Sequence, residues 1–188
     1  MGARTETRRH MVTAATEILS RRGFSGTTVR AVLERSGAPR GSVGFHFPGG
    51  RSELVSAAFD EVGGQVEAAL IDMEEQGRTG AELLGAMCEF YAESLRGSGF
   101  RSGCPIGSAL AEIHDDTEFA PRLRTILESW VRVLARTLRR DGVSADDADE
   151  LSMLAISSLE GAILTARITR DTAPVEAVRR RICPLLIP

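Results

Sequence analysis

The sequence predicts an all-α protein of about nine helices. Three short helices form an N-terminal module and the remainder build a larger helical domain. Three observations carry this. Apolar residues recur at spacings of three and four throughout. No run of Val, Ile or Thr alternates with polar residues long enough for a strand. Gly, Pro and Ser clusters fall between the periodic segments, where helices must stop.

The first helix covers roughly Thr5–Arg22, with Met11, Ala15, Ile18 and Leu19 on one stripe. Gly23 supplies its stop, and Phe24 is placed to fold back on the last turn. A second helix, Thr28–Arg35, is capped by Thr27 or Thr28 and turns Val29, Val32 and Leu33 inward. Ser36-Gly37-Ala38 breaks it. A short third helix opens at Pro39 and runs to Phe45. After Pro48-Gly49-Gly50 a long helix runs from Arg51 to Glu75, through the weak Gly63-Gly64 pair. Further helices are expected at Ala81–Arg96, Pro105–Asp115, Glu118–Asp141, Ala145–Arg170 and Pro174–Leu186. The domain boundary is placed at 51/52, giving units 1–51 and 52–188.

Charge separates the two units. Residues 1–51 hold nine arginines against three glutamates, a balance of +6. The whole chain carries -3, so the remainder carries -9. A basic module joined to an acidic body is the electrostatic footprint of a nucleic-acid-binding head. The chain contains no lysine, which reflects codon usage as readily as function. No apolar run approaches the roughly 18–20 uninterrupted residues of a membrane span, and the polar start is not a secretory signal. Glu6 stands where a myristoylation motif needs Ser or Thr. These features predict a cytoplasmic protein without a membrane partner.

Cys88, Cys104 and Cys183 are too few and too widely spaced for a disulfide framework or a zinc pattern, and are read as reduced structural thiols. Glu112, His114, Asp115 and Asp116 do not share a helix face in any ligating register, so the segment is read as a solvated helix end. A cysteine–histidine nucleophile pair would need an orienting carboxylate and an oxyanion element, and neither is recognisable. An enzyme is therefore not expected, and no cofactor or metal is called for.

Two short helices joined by a Gly-containing turn make a helix-turn-helix. In the second, Arg40, Gly41, Ser42 and Gly44 point outward, small or polar, whereas Val43 and Phe47 are apolar and point inward. Small outward residues let the backbone approach base edges, and Arg40 is able to reach guanine or phosphate.

Over residues 8–62 the chain resembles the TetR family of bacterial repressors. The matching runs are Gly23–Arg30, Ser36–Phe47 and Arg51–Leu54. Phe47-Pro48-Gly49-Gly50-Arg51 and Gly103-Cys104-Pro105-Ile106-Gly107 look like the LmrA/YxaF-like branch, which includes drug-responsive repressors. Gly44 departs from the family's usual Tyr, which often touches the DNA backbone, and the loop before the fourth helix is one residue longer than usual. The resemblance implies a DNA-binding set of Thr28, Arg40, Gly41, Ser42, Val43, Phe45, His46 and Arg51. In it Thr28, His46 and Arg51 hold phosphate and Arg40, Ser42 and Val43 face the groove; Val43 reads equally as core.

It further implies a homodimeric repressor on a double-stranded DNA operator, palindromic because the protein is two-fold, released by a small apolar or amphipathic ligand. An activator, or a repressor needing a corepressor, fits the same residues. The dimer interface is expected on Leu151, Leu154, Ala155, Ser158, Leu159, Ala162, Ile163, Ala166, Val175, Val178 and Ile182, as a four-helix bundle. Candidate pocket residues are Met87, Cys88, Tyr91, Ile106, Leu110, Ile126, Trp130, Met153 and Leu164, where an apolar lining with a few polar handles would suit such a ligand.

Overall fold

The computed structural model describes residues 2–110, 112–113 and 118–187, all helix, turn or loop. The elements are α1 Gly2–Gly26, α2 Val29–Ser36, α3 Ser42–His46, α4 Arg51–Glu75, α5 Gly80–Gly97, α6 Pro105–Leu110, α7 Phe119–Asp141, α8 Ala145–Thr169 and α9 Ala173–Arg181, followed by a 3-10 turn, Cys183–Leu186. The expected His114, Asp115 and Asp116 lie outside the described residues.

Local signals explain most boundaries. Thr28 accepts from the Ala31 N–H and caps α2, while Gly37, at φ 69°, closes its other end with an N–H to Leu33. Thr79 and Glu82 form a reciprocal capping box on α5. Ser144 caps α8, and Gly142 at φ 105° ends α7. Two expectations are corrected. Pro39 begins a turn rather than the third helix: Ser42 N–H bonds back to the Pro39 carbonyl at 2.9 Å and α3 starts at Ser42. The last segment is interrupted, because Pro184 has no N–H to continue the ladder, and it finishes as the 3-10 turn.

The head packs Met11, Ala15, Ile18 and Leu19 of α1 against Val32, Val43, Phe47, Leu54 and Val55, all buried. Helix α4 then leaves the head as a rod along α7. Its Gly63 lies where an added Cβ would stand 2.9 Å from Ile126, so the weak helix-former is what lets α4 and α7 approach. Trp130 closes that contact with an Nε1–H donated to the Gly63 carbonyl at 3.1 Å. Helices α5, α8 and α9 complete the body. An 18-residue stretch of α8 has a mean hydropathy of 1.4, enough by length and composition to cross a membrane although Glu160 interrupts it, and the helix is packed here against α7 and α9.

Candidate nucleic-acid interface

The reading element is α2, its left-handed turn at Gly37, and α3. Phe47 and Val43 anchor it from beneath: Phe47 is fully buried, its N–H bonds to the Val43 carbonyl at 2.7 Å, and the Arg8 guanidinium lies 4.9 Å over its ring. Val43 thus belongs to the core, and of its two readings the groove-facing one is not what the packing gives. Arg40, Gly41, Gly44 and Phe45 are exposed, and Ser42 and His46 are half-buried. Phe45 is 59 % exposed and meets the His46 ring edge-on at 4.8 Å. A Cβ at Gly44 would meet nothing within 4 Å, so no packing inside the chain requires glycine there.

Charge at this surface is set by which arginines are already engaged. The head's three glutamates have partners: Glu6 with Arg9 and His10, Glu17 with Arg35, Glu34 with Arg30. None of them pairs with Arg40. Thr28 uses its hydroxyl oxygen to cap α2 and its N–H on the Gly26 carbonyl, which leaves the hydroxyl hydrogen to donate outward. Arg51 is corrected. Its Nε donates to the Thr27 carbonyl at 2.7 Å and Nη2 to the Phe24 carbonyl at 2.6 Å, with the guanidinium stacked 4.1 Å over the Phe24 ring. An arginine so engaged bolts α4 to the α1–α2 connection instead of reaching for phosphate. Arg51→Ala is expected to cost about 1–3 kcal/mol of head stability, measured by thermal unfolding; a loss within error would refute the bolt.

Comparison with known proteins agrees with this geometry. Residues 12–58 match the family model described as bacterial regulatory proteins, tetR family. Residues 80–181 match that described as transcriptional regulator LmrA/YxaF-like, C-terminal domain. An HTH-type transcriptional regulator of Mycobacterium tuberculosis is 40% identical over 186 residues, covering 96% of this chain and 94% of that protein. The chain belongs to the TetR family. The HTH-type transcriptional regulator LmrA of Bacillus subtilis is also similar, 27% identical over 96% of this chain and 97% of that one. A TetR regulatory protein from Rhodobacter sphaeroides superposes with a TM-score of 0.82 at 25% identity, covering 94% of this chain and 96% of that one. The family's proteins are DNA-binding regulators and not enzymes.

In this TetR-family chain the head is tied to the body by a carboxylate. Glu112, just after α6, accepts from the Phe24 and Ser25 N–H groups, both at 2.9 Å. Burial alone would raise its pKa, but the hydrogen bonds from Ser25 and Phe24 outweigh burial and hold it below the usual carboxylate range. Gly23, at φ 70°, is where a Cβ would fall 2.0 Å from that carboxylate. The solvated helix end read from the sequence is, at Glu112, a clasp. Gly103 N–H on the Ser20 carbonyl at 2.9 Å and Arg167 on the Arg21 carbonyl at 2.9 Å reinforce it.

The nine candidate pocket residues do not share one site. Met87 and Tyr91 line a cavity of about 400 Å³ between α4 and α5, with Phe90 at its edge. Leu110, Met153 and Leu164 line another of about 400 Å³ among α6, α7 and α8. Cys88 faces a groove against α9, lined by Arg96, Glu176 and Arg179. Ile106 and Trp130 are fully buried and Ile126 nearly so, as closed core. The interface expectation needs similar correction. Ala155, Leu159, Ala162, Ile163, Ala166, Val175 and Val178 are buried inside one protomer. Leu151, Ser158 and Ile182 are half-buried and only Leu154 is exposed. The apolar side chains α8 leaves outside are Met153, Leu154, Leu164 and Ile168.

Sequence reasoning missed Glu112 and Glu160. Glu160 had a signal: it interrupts the apolar register of α8, four residues after Ile156, and it is buried at 6 % exposure. Burial drives its pKa up to about 7, with the Cys104 thiol beside it pulling the other way. Glu112 had none, since its partners lie 88 and 87 residues away.

Proposed function

We propose that this TetR-family regulator is a cytoplasmic homodimeric repressor that holds a palindromic operator through two α3 helices and releases it when a small apolar or amphipathic ligand binds the body. The observation that carries this is the Glu112 clasp. It joins the body directly to the last turn of α1, beyond the kink at Gly23 and next to α2, so a shift of α6 is transmitted to the reading element. Two heads on one face of DNA must sit about 34–36 Å apart. A ligand that displaces α6 alters that spacing, and full switching requires it to prefer one state by roughly 5.5 kcal/mol.

The DNA contacts proposed are Arg40 and Ser42 toward the groove, with Gly41 and Gly44 allowing close approach. Phe45 is suited to a thymine methyl, and Thr28 and His46 to phosphate. The dimer contact proposed is the exposed side of α8 around Leu154, Ser157, Gly161 and Ile168. A Cβ at Gly161 would meet nothing within 4 Å in one protomer, so the small residue leaves room for a helix from the partner.

Selection of bound sites from a random DNA pool tests the reading. A palindrome is expected, and affinity for it should fall linearly in log–log form with salt. Arg40→Ala should cost about 1–3 kcal/mol and relax preference at one base pair per half-site. An asymmetric site, or a flat salt profile, would refute the paired-head arrangement.

A further inference from the structure

The cavity among α6, α7 and α8 is walled by aliphatic side chains, chiefly Leu110, Val131, Ile156 and Leu164, and one wall residue is ionisable. That residue is Glu160. Its Oε2 is buried and has no hydrogen-bond partner. It lies against Gly107, also on the cavity wall, where an added Cβ would come within 2.0 Å. An unpartnered buried carboxyl oxygen is costly and is retained only with a purpose. Glycine at 107 leaves the room that this oxygen itself occupies on the cavity wall.

We infer that this cavity is the ligand site and that it takes a hydrophobic organic cation, an alkyl chain ending in a protonated amine. The alkyl part replaces water against the aliphatic walls, and the ammonium donates to Glu160 Oε2, supplying both the missing hydrogen bond and the missing opposite charge. The other cavities lack this combination. The one between α4 and α5 has no ionisable side chain but Tyr91. The grooves beside α9 are lined by several charges of both signs, among them the pairs Arg96–Glu176 and Arg179–Glu89, both at 2.7 Å, and present no isolated carboxylate on an aliphatic wall. The cavity also adjoins the clasp, since Gly107 sits in α6, five residues before Glu112. The inference rests on the ligand-release reading for its role but not for its chemistry.

Three probes with one tail and different heads test it on the full chain: n-octylamine, n-octanol and n-octanoate, titrated by calorimetry at pH 8. Octylammonium is expected to bind at least about tenfold more tightly than octanol, and octanoate more weakly than either. Glu160→Gln should bring octylamine and octanol to within about twofold of each other while keeping octanol binding. Leu110→Trp, which fills the cavity, should abolish both. Equal affinities for amine and alcohol, or an amine preference that survives Glu160→Gln or Leu110→Trp, overturns the assignment. Repeating the titration on the operator complex separates the two readings. Octylamine that binds by these rules yet leaves DNA affinity unchanged supports the site and counts against ligand release. A chain released by some other effector but indifferent to the amine overturns the site and leaves release standing.

Discussion

Trp130→Ala is expected to lower stability by about 3–5 kcal/mol. For a chain of 188 residues that is a fall in Tm of roughly 10 °C, at about 2–4 °C per kcal/mol. The indole is fully buried, the largest side chain so placed, and it spans from α7 to α4. Truncation removes its contacts and leaves a cavity whose walls are backbone and close-packed aliphatic groups, which collapse poorly. Trp130→Phe keeps most of the packing and loses the donor to Gly63. Because that carbonyl remains within α4, the expected cost is smaller, roughly 1–2 kcal/mol. Thermal unfolding followed by circular dichroism reads both. Equal losses for the two variants would mean that the indole N–H, and not the ring, fixes α4 on α7. A Tm within 3 °C of the parent for Trp130→Ala, against the roughly 10 °C expected at this burial, would sink the argument.

The contrast between Trp130's expected and observed roles shows what the sequence made legible. Local rules suffice where a boundary depends on neighbours. The Gly37 turn, a threonine cap on α2 at Thr27 or Thr28, and the long helix from Arg51 or Ser52 to Glu75 are readable from spacing and turn chemistry, and the stop expected at Gly23 is a kink there, with α1 continuing to Gly26. They fail where a side chain's partner is remote. Arg51 looked like a phosphate ligand because its position in a motif says nothing of the Phe24 and Thr27 carbonyls. Trp130 looked like a pocket handle because a lone Trp carries a donor, and its acceptor lies 67 residues away. Helix α8 shows a different limit. It is apolar over most of its circumference, so periodicity alone did not divide the face packed within the protomer (Leu159, Ile163, Ala166) from the face left outside (Leu154, Ile168). The short α3 was misplaced at its start because Pro39 suits a turn as well as a first helical position.

Glu160→Gln is expected to change the pH dependence of stability more than any surface substitution. Glu160 is buried beside the Cys104 thiol, with Tyr91 also near that thiol. Burial pushes both Cys104 and Tyr91 well above their ordinary ranges, so both stay neutral at physiological pH. Neutral, neither adds a negative charge beside the carboxyl, and no basic side chain among the described residues contributes a positive one to offset its ionisation. Its folded pKa is raised to about 7, above the value it has in an unfolded chain. The sign follows from proton binding. Below about pH 4.5 the group is protonated in both states and contributes no difference. Between there and about pH 7 the unfolded chain releases a proton that the folded chain keeps, so stability falls as pH rises. The fall is at most about 1.4 kcal/mol per pH unit and about 3 kcal/mol in total. Above about pH 7 both states are ionised and the loss is complete. Glutamine cannot ionise, so the variant should escape this loss, matching the parent near pH 4.5 and exceeding it by about 3 kcal/mol at pH 8. Carboxylates held low by partners, such as Glu74 beside Arg136 and Glu112 in the clasp, act in the opposite direction. They are common to both proteins and cancel in the difference. Urea denaturation of parent and variant at pH 5 and pH 8 measures it directly. Stability curves that stay parallel across that interval would show that Glu160 is ionised and compensated in the free protein, which would also remove the reason for an amine to seek it.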